Sequence, residues 1–170
     1  MTLMKALHLA VVVAASVALC GSINETVAES SACHDLVGTY LTKNFAKGES
    51  GANFTSRSLL ALSGSGVASF ADSGKGGEAG FGPFTDGRGS WRCIDANRLH
   101  AVTLNFTTPT AEAPKADIGR LDFDLAYDAA SKTIKGTATL RFLPLGSDPL
   151  AAGGGNGRQF EIVGQRVEAQ

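Results

Sequence analysis

Cys33 and Cys93, His34 and His100, the aspartates Asp122, Asp124 and Asp128, and the glycine-rich run 74–82 are the residues whose types could do chemistry. Each has a narrow set of uses. Two cysteines can pair as a disulfide, act as nucleophiles or bind a metal. Two histidines with no His-x-His spacing and no spaced carboxylate partner make a poor metal site, so no metal is expected. His100 also lacks an identifiable partner for acid–base work. The three aspartates alternate along one run and read as a solvated strand face opposite Lys135 and Arg141, not as a catalytic carboxylate pair. The glycine run fits no phosphate-binding pattern, because no helix follows to offer its N-terminus. It reads as a flexible loop. No Gly-x-Ser-x-Gly elbow is present. An enzyme is therefore not the favoured reading, and no catalytic residue or cofactor is assigned.

These residues need a scaffold, and its class is legible. The chain has 170 residues, a net charge of −1, 21 glycines and 18% charged residues. That suits one turn-rich β domain. It leaves no basic footprint for nucleic acid. Residues 1–29 read as a signal peptide and short linker, with Lys5 ahead of the apolar run 10–19. The run is too short to span a bilayer comfortably. Residues 30–170 form the expected mature domain, secreted or periplasmic and monomeric, with no membrane span once the signal is removed. A lipoprotein acylated at Cys20 is the alternative. An even pair of cysteines in an exported chain then points to a Cys33–Cys93 disulfide.

Strand-like runs are expected at 36–43, 55–62, 67–71, 89–94, 99–106, 120–128, 133–142 and 159–167, with no helix longer than two turns. The run 120–128 alternates most cleanly, with Leu121, Phe123, Leu125 and Tyr127 on one face. In 99–106, the residues His100, Val102, Leu104 and Phe106 are taken as the buried face. Connections alternate long and short: 44–54 long, 63–66 short, 72–88 long, 95–97 short, 107–117 long, 129–132 short and 143–158 long. That rhythm predicts an all-β, single up-and-down antiparallel barrel of about eight strands, sealed at one end by tight hairpins. Both cysteines fall at the sealed end. Their bridge would close about 60 residues, for roughly 3–4 kcal/mol.

Gly38-Thr39-Tyr40 at the first strand and Arg166 on the last, with Trp91 and His100 near the same end, carry a resemblance. The chain resembles the calycin superfamily of lipocalin-like small barrels. There, a Gly-x-Trp on the first strand packs under an Arg of the last strand. Tyr40 stands here in the place of that Trp. The resemblance implies a structural floor built from Tyr40, Trp91, His100 and Arg166. It also implies a cavity for a small apolar ligand at the long-loop end. By parity or position, Phe54, Phe81, Phe84, Phe106, Phe123, Phe142 and Phe160 are its expected lining. Two alternatives stay open: a cofactor-free catalyst of the allene oxide cyclase-like or dirigent-like kind, and a filled barrel that contacts a partner protein through its loops.

Overall fold

The computed structural model describes residues 33–48, 51–77, 82–151 and 157–169. The expected signal segment and Cys20 lie outside them. Eight strands follow a single 3-10 turn (η1, His34–Leu36). They are β1 (Gly38–Gly48), β2 (Gly51–Leu62), β3 (Val67–Asp72), β4 (Gly87–Asp95), β5 (Arg98–Phe106), β6 (Asp117–Asp128), β7 (Thr133–Pro144) and β8 (Arg158–Arg166). Each pairs antiparallel with its sequence neighbour, and β8 closes onto β1, giving an up-and-down barrel. Closure leaves no sheet edge around the wall.

The connections depart from the expected rhythm at one place. β1 runs on to Gly48 and β2 starts at Gly51, so two residues join them instead of a long loop. Only part of this hairpin belongs to the barrel. β1 pairs with β8 as far as Ala46, and β2 pairs with β3 only from Ser58 onward. The rest is a two-stranded ribbon, shifted in register between Asn44 and Phe45, that stands beyond the rim. Lys47, Asn53 and Phe54 on it are exposed, so its sequence carries no apolar periodicity and reads as a loop.

The interior is built in layers. At the closed end, Leu36, Tyr40, Leu60, Leu62, Leu99, Leu125, Tyr127 and Ile134 are buried together. One row of cross-strand partners, rising from Trp91 at the floor to Ala46 at the rim, reads Trp91, Ala101, Phe123, Ala138, Phe160, Ala46 around β4 to β1. Large and small side chains alternate, which is how a narrow barrel fills its section without overlap. Gly89 and Gly136 sit where strands approach so closely that a Cβ would strike the Val102 and Asp124 carbonyl oxygens. Glycine permits that approach.

This row corrects the parity expected for β5. Leu99, Ala101, Thr103 and Asn105 face inward, while His100, Val102, Leu104 and Phe106 face out. Both faces of β5 carry apolar side chains, so alternation alone leaves the choice open. The large inward residues of β6 decide it. Ala101 lies opposite Phe123 and Thr103 opposite Leu121, and the smaller face of β5 is the one that fits.

The floor is a plug. Tyr40 is 0% exposed, and its hydroxyl donates to the Leu36 carbonyl at 2.9 Å. Arg166 pairs with Tyr40 across β1–β8 and donates to the Asp35 carbonyl at 3.1 Å, its guanidinium packed over Gly38. Trp91 faces inward, and its indole N–H donates to the Ser63 carbonyl at 2.9 Å. Cys33 and Cys93 are paired, with Cα atoms 6.0 Å apart, and pin η1 to β4. His100 is not part of this floor. It sits on the outer wall with Nδ1 2.8 Å from Asp124, its direct cross-strand partner.

Burial first, and the nearby Tyr127 second, push the Tyr40 hydroxyl up to about 12. The unfolded chain ionises at the ordinary tyrosine value of about 10, so it binds fewer protons than the folded state between the two. Stability contributed by neutral Tyr40 is therefore complete below about pH 10 and falls as pH rises towards 12. The loss is on the order of 2–3 kcal/mol. Denaturant unfolding across that range should show it, and Tyr40→Phe should flatten that part of the profile. An unchanged alkaline slope in the variant would remove Tyr40 as the cause.

Candidate functional site

The open end carries the β3–β4, β5–β6 and β7–β8 connections and a cavity of about 70 Å³. That is room for several waters or for part of a small organic molecule. Two different walls surround it. On β6, β7 and β8 the lining is Leu121, Phe123, Ala138, Leu140, Phe142, Phe160 and Ile162. These are the inward positions of alternating strands, so periodicity alone places them. Phe70 of β3 adds a ring tilted against Phe123, with centroids 5.4 Å apart.

The other wall is polar. Asn44 of β1, Ser56 of β2 and Asp72 at the end of β3 line the cavity. Asp72 Oδ2 accepts from Asn44 Nδ2 at 2.9 Å, Ser56 Oγ at 2.9 Å and Ser58 Oγ at 2.6 Å. Its Oδ1 accepts from the Gly74 amide at 2.6 Å. Thr42 donates to Asn44 Oδ1 at 3.0 Å and completes the chain. Asn105 reaches the cavity from β5. It is 3% exposed, and its Oδ1 has no hydrogen-bond partner among the described residues; the same holds for the Thr103 hydroxyl below it. The Asn105 oxygen lies against its cross-strand partner Gly119, where an added Cβ would strike it.

The expected aromatic lining divides. Phe84, Phe123, Phe142 and Phe160 line the cavity. Phe160 also carries Arg158 over its face, 5.2 Å from the centroid. Phe54 does not line it. It packs edge-on against Phe45 at 6.0 Å on the projecting ribbon and is 56% exposed. The register shift next to Phe45 skips Thr55 and turns Phe54 outward. Phe106 is also excluded, 53% exposed on the outer face of β5, by the parity correction above. Phe81 lies outside the described residues.

Sequence reasoning missed Phe70 and the whole polar wall. Phe70 had a usable signal, its alternation with Ala68 along β3. The polar wall had none, since inward polar residues in a strand look like solvent-facing ones.

The outer wall holds a second ionic group. Asp122 takes Arg120 at 2.6 Å and Arg141 at 2.6 Å, and Arg120 also donates to the Pro149 carbonyl at 2.6 Å. This group ties the β7–β8 connection to the outside of the barrel. It faces away from the cavity, as the alternation of β6 requires.

Among the described residues no helix is long and apolar enough to cross a membrane, and no three metal-ligating side chains cluster. Compared with known proteins, the chain matches no family model, no curated protein and no solved structure.

Proposed function

We propose that this protein is an exported, calycin-like barrel that binds a small, mostly apolar molecule in its open end. The cavity carries the reading: rings and aliphatic side chains on one wall, with fixed polar groups on the other. That division suits a molecule with an apolar body and one polar end. The closed architecture and the Tyr40–Arg166 floor agree with the calycin resemblance. The Cys33–Cys93 pair and the apolar N-terminal run support export.

Asp72 beside Phe70 is the feature that favours the catalytic alternative, since a carboxylate among aromatics can move protons. Its oxygens, however, already hold three side chains and a backbone amide. That arrangement suits a fixed anchor better than a group that must change partners.

Native mass spectrometry of the secreted protein tests the reading. Wild-type protein should carry a non-covalent adduct that is lost on denaturation. Leu140→Trp, which fills the mouth, should fly without it. Wild-type protein at its bare mass, which also takes up no member of an added panel of apolar compounds, would defeat the proposal.

A further inference from the structure

The Asp72 carboxylate at the mouth has no cationic partner among the described residues. The donors to the Asp72 carboxylate among the described residues are all neutral: two hydroxyls, one side-chain amide and one backbone amide. Among the same residues no lysine, arginine or histidine forms an ion pair with it, and no cationic side chain lines the cavity. Asp72 therefore keeps its negative field over a small space walled mainly by apolar groups, where charges are screened less than in bulk water. Its Oδ1 accepts one bond and has a lone pair left. Asn105 lines the same 70 Å³, with its Oδ1 turned against Gly119. Rings of Phe70, Phe84, Phe123 and Phe142 line the same space, and aromatic faces attract cations, as Arg158 over Phe160 shows.

Each ligand class meets this site differently. A carboxylate such as a fatty acid anion meets the like charge of Asp72. A hydrocarbon leaves the open Asp72 lone pair unused. A neutral alcohol satisfies one acceptor. We infer that the ligand is a protonated primary amine on an apolar body, an arylalkylamine or alkylamine. Its ammonium donates to Asp72, and its body lies against Leu121, Phe123, Leu140 and Phe160. This rests on the mouth being a ligand site, as proposed above.

Isothermal titration at pH 7 with three matched probes tests it: 3-phenylpropylamine, 3-phenylpropan-1-ol and 3-phenylpropanoate, repeated with the corresponding octyl series. The amine should bind about 10- to 100-fold more tightly than the alcohol, the margin of a charge-assisted hydrogen bond. The carboxylate should give no measurable heat. High salt should weaken the amine and leave the alcohol unchanged. Asp72→Asn should bring the amine down to the alcohol's affinity. If Asp72→Asn does not fold, the wild-type series and its salt dependence decide. An alcohol that binds as well as the amine, or a carboxylate that binds at all, would overturn the amine assignment and leave the mouth as a ligand site. No binding by any member of either series would overturn both.

Discussion

Replacing Cys33 and Cys93 together with alanine should lower the unfolding free energy by about 4 kcal/mol. The two residues are separated by 60 positions, so the bridge closes a long loop in the unfolded chain. Loop closure of that length removes a large share of the unfolded ensemble's freedom. There is also a cost in the folded state. Cys33 begins the plug whose Leu36 fills the floor and whose carbonyl receives the Tyr40 hydroxyl. Without the bridge, that segment is held by packing and a few hydrogen bonds. Denaturant titration of the double variant against the oxidised wild type measures the difference. A change below about 1 kcal/mol would mean that the unfolded chain is already compact around these positions. Ligand affinity at the mouth should stay within about twofold, because the bridge lies at the opposite end of the strands.

Phe123→Ala should cost about 3 kcal/mol or more, the usual range for a buried aromatic. Phe123 is 1% exposed and stands between Ala101 and Ala138 in the row of alternating side chains. Neither alanine can reach into the space it leaves. Phe70 loses its ring partner as well. The vacated volume joins the cavity above, so the variant should also accept bulkier ligands than the wild type. Phe142→Ala, at the rim and 40% exposed, should cost less than about 1 kcal/mol. Equal losses in the two variants would contradict the layered interior.

How legible all this was differs from strand to strand, for physical reasons. β6 alternates cleanly because one side is core and the other is water with paired charges, so its facing and its outer ions are readable from the residues. β5 is ambiguous, since Val102 and Leu104 are half-buried on the outer face, with Leu104 opposite Arg88 and Arg120. Only the bulk of Phe123 across the sheet selects the facing. The ribbon of β1 and β2 leaves no trace, since Lys47, Asn53 and Phe54 are exposed. The site was half legible: its apolar wall follows from strand period, while Asn44, Ser56, Asp72 and Asn105 follow from contacts between distant strands.

The closed end is also the end where both termini of the described chain emerge, since Tyr40 pairs with Arg166 and the plug begins at Cys33. A tether attached there, before Cys33 or after Ala169, would orient the molecule like a cup on a stem. The mouth would point away from whatever held the stem, and a large fusion at either terminus would leave the entrance clear. The β1–β2 hairpin stands at the entrance itself. Bulk added there would shadow it.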